Sequence, residues 1–185
     1  YRMRVLGAER VSFDTIVASG PNSALPHYAA GDRELTDGDL VTIDFGAHYL
    51  GFNSDMTRTF CIGEPSDFNR EIYEIVLEAQ KAGIAAATPG RALVDVDKAC
   101  RDIIDAAGYG DYFVHSTGHG IGLDVHEGPA ASTRGKGVLE ENMTLTIEPG
   151  IYVPGKGGVR IEDTLIITSG APKVITPAPK ELTVL

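Results

Sequence analysis

The sequence predicts an α+β domain in which strands come first, helices follow and strands return. Three observations carry the prediction. Residues 41–47 and 53–60 are rich in β-branched and aromatic side chains. They flank the short segment His48-Tyr49-Leu50-Gly51-Phe52, and the whole reads as a β-hairpin. Apolar residues then recur at helical spacing, at Phe68, Ile72, Ile75, Val76, Ala79, Ala82 and Ala86, and again at Val96, Ala99, Cys100, Ile103, Ile104 and Ala107. Strand-like runs return at 143–148, which alternates strictly, and at 159–167.

Along the chain, residues 1–7 read as the tail of a helix and residues 11–18 as a strand. Residues 19–23 have turn chemistry. His27 follows in a loop, where functional side chains concentrate. Ser66 is placed to cap the first long helix, Thr88-Pro89-Gly90 to stop it, and Gly108 to end a second helix over 93–107. Residues 112–115 look strand-like, 118–122 a glycine-rich turn around His119, and 129–138 a loop. Thr144, Thr146 and Glu148 share one face of their strand, which Pro149-Gly150 ends. Arg160 and Glu162 share a face of the last long strand, and residues 177–180 form a tail.

Composition narrows the function. The chain has 185 residues, 43% of them hydrophobic, enough for one sizeable domain with a real core. A formal charge of −10 and the lack of any basic run argue against a nucleic-acid partner. No apolar run approaches the roughly 20 residues of a bilayer span, so no membrane partner is expected. No basic-then-apolar leader is visible, and two cysteines make no disulfide framework. A reducing, cytoplasmic location is the expectation. Cys100 falls on the apolar stripe of its helix and reads as a small core residue.

The acidic residues are the anomaly. Strand interiors disfavour Asp and Glu, yet Asp44, Asp55, Glu148 and Glu162 interrupt otherwise well-formed strands. If the hairpin tip lies between Tyr49 and Leu50, Asp44 sits directly opposite Asp55, with Cβ atoms about 4.5–5.5 Å apart. Either one of such a pair keeps a proton or a cation lies between them. A solvated pair of surface carboxylates is the alternative. With His119 added, the four carboxylates suit hard-to-borderline divalent ions such as Mn²⁺, Co²⁺, Fe²⁺ or Zn²⁺. They exceed what a single catalytic zinc takes and fit two ions about 3.5–4 Å apart.

These residues and their flanks, Ile43-Asp44-Phe45-Gly46, Ser54-Asp55-Met56-Thr57-Arg58, residues 118–127, Ile147-Glu148-Pro149-Gly150 and Val159-Arg160-Ile161-Glu162-Asp163, resemble the M24 metallopeptidases. The match runs from about Phe13 to Leu182. Arg160 and Asp163, around Glu162, resemble the proline-peptidase branch, aminopeptidase P and prolidase. The resemblance implies a pita-bread fold, a curved antiparallel sheet covered by helices, in pseudo-twofold halves. It implies a single catalytic domain, residues 1–185, lacking its first helix and an upstream domain. It also implies a homodimer, a proline-containing peptide substrate, and two divalent metal ions, with Mn²⁺ the first choice.

By the same resemblance, Asp44 binds one metal, Asp55 and Glu162 bridge both, and His119 and Glu148 complete the second. Glu148 shuttles a proton. His126 holds the scissile carbonyl, His115 lines the proline pocket and His27 meets the substrate backbone. Arg160, and more weakly Tyr152, stand behind the ligands. Asp163 either buttresses the fold or touches a metal. His48 matches no site and reads as a surface residue. The implied reaction is hydrolysis of an Xaa-Pro bond, at a peptide N-terminus or in a dipeptide. The rivals are methionine aminopeptidase, which usually lacks the arginine, and a catalytically inactive pita-bread domain that binds peptides.

Overall fold

The predicted hairpin forms, and it is broken in the middle. In the computed structural model, which describes all 185 residues, β1 is Arg10–Val11 and β2 is Ile16–Ser19, after a one-turn helix α1, Arg2–Val5. Strand β3 (Leu40–Phe45) runs into β4 (Ala47–Tyr49), and β5 (Phe52–Asn53) into β6 (Met56–Cys61). β3 pairs antiparallel with β6, and β4 with β5, in one continuous register: Phe45 faces Met56 and His48 faces Asn53. The tip is the pair Leu50-Gly51, both with positive φ (49° and 83°). That is the backbone of a two-residue type I′ turn, which usually carries Asn-Gly. Leucine hides the signal. The tip therefore lies one residue later than expected, and Asp44 faces Thr57, not Asp55. Since the register shift is two residues, the period-two rule leaves both Asp side chains on one face.

The break falls at Gly46, opposite Ser54-Asp55. A Cβ on Gly46 would stand 1.8 Å from the Ser54 carbonyl oxygen, so only glycine allows the crossing. Ser12 Oγ donates to that same carbonyl at 2.7 Å. The expected strand over 11–18 is consequently two: β1 pairs with β4 and β2 with β3, with a bend between them.

The C-terminal half repeats the device. β9 (Thr144–Ile147) pairs with β12 (Asp163–Ile166), and β10 (Gly150–Val153) with β11 (Gly157–Arg160). Ile147 faces Asp163 and Gly150 faces Arg160, so the register again continues across a gap, Glu148-Pro149 against Ile161-Glu162. Pro149 has no N–H to give a ladder. The single strand expected over 159–167 is thus split, and Gly150 begins a strand that the sequence pattern did not show.

The helices are as expected. Helix α2 is Asp67–Ala86, and Ser66 Oγ accepts from the Asn69 amide. Helix α3 is Leu93–Ala106, followed by Gly108 at φ 84°. They pack Ile72, Val76, Ala79, Val96, Cys100 and Ile104 into one core with Leu145, Ile147 and Leu165 from the sheets and Ile161 from the gap. Neither helix, nor any other, is long and apolar enough to cross a membrane. Residues 112–115 are not a strand. The supposed turn at 118–122 contains β7 (Gly118–Gly120), paired with β8 (Glu127–Ala131), which takes the first residues of the expected loop.

The tail is tied down. Strands β13 (Lys173–Val174) and β14 (Thr183–Val184) join β12 and β6. Between them, the carbonyls of Thr176, Ala178 and Pro179 accept from the buried Arg58 guanidinium. Arg58 also pairs with Asp163 at 2.7 Å, and Asp163 accepts from Gln80 and Lys180. Asp163 is a fully buried buttress. His48 is not free surface either: it is partly buried, with Nδ1 2.9 Å from a Glu9 carboxylate oxygen but not in hydrogen-bond geometry.

Replacing Arg58 by Met removes one of the two cations paired with the buried Asp163 carboxylate, leaving Lys180, and takes the donor from the C-terminal carbonyls. The cost is below the roughly 3–5 kcal/mol of a fully uncompensated buried charge. The urea midpoint of Arg58→Met should fall accordingly. Adding Asp163→Leu should recover part of the loss, so that the two effects are not additive.

Candidate metal centre and substrate cavity

The breaks deliver the carboxylates. Asp55, Glu148 and Glu162 all lie in the gaps between paired strands, and Asp44 lies one residue from the end of β3. A carboxylate in such a gap keeps its strand's direction without having to fit the ladder. His119 comes from the middle of β7, which passes so close to β9 that a Cβ on Gly118 would stand 1.7 Å from the Thr146 carbonyl oxygen. A Cβ on Gly120 would stand 2.2 Å from the Gly128 carbonyl oxygen. The Gly-His-Gly run is therefore a strand squeezed between neighbours.

The four carboxylates and His119 line one cavity of about 500 Å³. His27, His115, His126 and Arg160 line it too. Tyr152 stands behind the wall, with its hydroxyl 2.8 Å from both His115 Nε2 and Arg160 Nη1. Phe13, Asp14, Ile16 and Tyr28 are wall residues that the sequence reading missed. Tyr28 adjoins His27 in the same loop, and Phe13 and Asp14 lie in the bend between β1 and β2, where the residue pattern predicts unbroken strand.

Asp55, His119 and Glu162 each offer a ligand atom within 4.8 Å of the others. His119 Nδ1 lies 2.9 Å from the Gly120 carbonyl, which can only accept, so Nδ1 carries the proton. Nε2 then faces Glu148 Oε1 at 3.3 Å and Asp55 Oδ2 at 3.8 Å. This is the orientation a metal-binding imidazole takes. Asp44 Oδ1, Asp55 Oδ1 and Glu162 Oε1 are buried with no hydrogen-bond partner. Buried carboxylate oxygens in that state are costly unless a cation neutralises them. The donor set, oxygens plus one imidazole nitrogen, suits divalent ions of the Mn²⁺–Zn²⁺ series.

The electrostatics record the same crowding. Burial, with the charges of Asp44 and Glu148, pushes the Asp55 carboxyl up to about 8. Burial and the charges of Asp55, Glu148 and Asp44 raise Glu162 well above the usual range. Burial works against the ionised forms of Glu148 and His119 as well, but their mutual hydrogen bond and charges prevail, lowering Glu148 and raising His119. Burial lowers His115 and His126. Neutral His115 then fits a directed chain. Arg160 donates to the Tyr152 hydroxyl, Tyr152 donates to His115 Nε2, and His115 Nδ1–H donates to the Ser116 carbonyl. Burial also pushes the Tyr152 phenol up to about 12, so it stays a donor. Arg160 also donates to Asp44 Oδ2 at 2.8 Å.

In chelator-treated protein, Asp55 and Glu162 titrate above their unfolded values of about 4. Their contribution to stability is present below that pH and is lost as pH rises through about 8. Thermal melts of the stripped protein should therefore drop from pH 5 to 8.5. Saturating Mn²⁺ should abolish the drop, because a bound cation favours the ionised carboxylates.

Residues 1–169 match the model of metallopeptidase family M24. The chain is 54% identical over 182 residues to the Xaa-Pro dipeptidase of Pyrococcus furiosus, covering 98% of this chain and 52% of that protein. It superposes on the structure of Xaa-Pro dipeptidase from Bacillus anthracis with a TM-score of 0.97 at 55% identity, covering 98% of this chain and 51% of the other. It superposes on X-Pro aminopeptidase from Thermotoga maritima with a TM-score of 0.97 at 48% identity, covering 100% and 53%. The chain thus spans about half the length of the relatives it matches. The paired, broken hairpins under two long helices are the pita-bread fold. The chain belongs to metallopeptidase family M24.

Proposed function

We propose that the protein is a divalent-metal-dependent exopeptidase that hydrolyses the bond between an amino acid and a following proline. The observation that carries the reading is the trio of buried, unpartnered oxygens on Asp44, Asp55 and Glu162 beside His119 Nε2. The relatives' names, Xaa-Pro dipeptidase and X-Pro aminopeptidase, support the substrate class.

Asp44, Asp55, His119, Glu148 and Glu162 would hold two divalent ions, with Mn²⁺ the first choice. When bound, such ions supply Lewis acidity and make a water acidic enough to ionise near neutral pH. The remaining work falls to the chain. Glu148 is kept ionised by His119 and is the group in the cavity suited to take and return a proton. His126 is solvent-exposed at the cavity, its ring centroid 4.4 Å from that of His119, which supports a role as donor to the oxygen that gains charge. His115 has both ring nitrogens occupied by the protein, so it offers the substrate a ring face, which suits a proline ring better than a polar group. His27 stands at the rim for backbone contact. Proline lacks an N–H and fixes its φ, which makes a dedicated pocket necessary. The homodimer and cytoplasmic location implied by the resemblance go with this reading.

A methionine aminopeptidase or an inactive peptide-binding domain fits less well. Arg160 is built into the centre through Asp44, and all five ligand positions are intact. The deciding assay uses full-length, Mn²⁺-loaded protein with Ala-Pro, Ala-Pro-Ala and Met-Ala-Ser. Cleavage of a proline peptide but not Met-Ala-Ser is expected, and chelator should abolish it. Cleavage of Met-Ala-Ser alone would overturn the assignment. His126→Ala should lower kcat about 10²–10³-fold, as removal of an oxyanion donor does, while bound metal per chain is unchanged.

A further inference from the structure

Thr57 faces Asp44 across the first hairpin and is fully buried. Its hydroxyl lies between two charged groups, 3.1 Å from Arg160 Nε and 2.7 Å from Glu162 Oε2. The guanidinium Nε has a proton and no lone pair, so Thr57 must accept there. With a cation bound, Glu162 is ionised and can only accept, and a hydroxyl has one proton to give. The Thr57 proton is therefore committed to Glu162 Oε2. The backbone reinforces the contact, because the Glu162 amide donates to the Thr57 carbonyl at 3.1 Å.

Arg160 thus holds two carboxylates at once, Asp44 directly and Glu162 by way of Thr57. In each, one oxygen is held by the protein and the other, Asp44 Oδ1 or Glu162 Oε1, is buried without a partner. We propose that Thr57 is a positioning residue for the metal centre: its hydroxyl, oriented by Arg160, fixes the Glu162 carboxylate so that Oε1 is kept for a divalent cation shared with Asp55 and His119. The inference rests on the divalent-metal reading of the cavity.

The test is Mn²⁺ binding by calorimetry to chelator-stripped, full-length protein. Thr57→Val keeps the shape and deletes the hydroxyl. Thr57→Ala deletes it without the branched bulk, should the valine fail to fold. Thr57→Ser keeps the hydroxyl. Both deletions should weaken Mn²⁺ binding by about 10–100-fold, the usual effect of losing a group that orients a ligand, and serine should bind close to wild type. Val and Ala variants that bind as tightly as wild type would overturn the proposal, even if they melt lower. Serine binding as weakly as valine would overturn it too. If wild type binds Mn²⁺ but cleaves no proline peptide, the assigned activity falls while these affinities still decide the role of Thr57. If wild type binds no divalent ion, both fall.

Discussion

Like charges confined in a small buried space are the constraint on which this structure depends. Five carboxylates, the four candidate ligands and Asp14, line one cavity with only Arg160 and the histidines to offset them. The fold tolerates this because the backbone is interrupted where the carboxylates stand. A carboxylate within a regular ladder would have to sit at a fixed spacing from its cross-strand neighbour. In a gap, three of them turn inward while the strands on either side stay paired. Gly46 and Pro149 make the gaps, one by allowing close approach and the other by withholding a donor.

Two buried arginines stabilise the result from opposite sides. Arg160 reaches Asp44, Tyr152 and Thr57, so the polar wall of the cavity is organised around one guanidinium. Arg58 turns the other way. It accounts for Asp163 and for a series of C-terminal carbonyls. One arginine shapes the site, and the other closes the chain over the back of it.

Much of the site was legible in sequence because its residue types break local rules. Asp44, Asp55, Glu148 and Glu162 stand out against strand patterns, and they do share a cavity with His119, His27, His115 and His126. What was not legible was non-local or masked. Leu50 takes a left-handed conformation that usually belongs to Asn or Gly, so the tip was placed one residue early and the Asp44–Asp55 facing was wrong. The gap at Ile161-Glu162 is invisible because the strand-like composition runs straight through it. Gly118 and Gly120 look like turn residues, and only the carbonyls crowding them explain the strand. Nothing local to Pro179 says that Arg58 needs its oxygen.

The reach of Arg58 bears on how the chain folds. It sits in the first hairpin, yet Glu162, Asp163, Thr176, Ala178 and Pro179 lie 104 to 121 residues further along. During synthesis the first hairpin emerges long before the groups that neutralise its guanidinium. The two halves, however alike in design, are not independent folding units. The early half must wait, incompletely satisfied, for the late one. Loop closures of that length precede their own reward, and the cavity, which takes Asp44 and Asp55 from one half and Glu148 and Glu162 from the other, is complete only when both have formed.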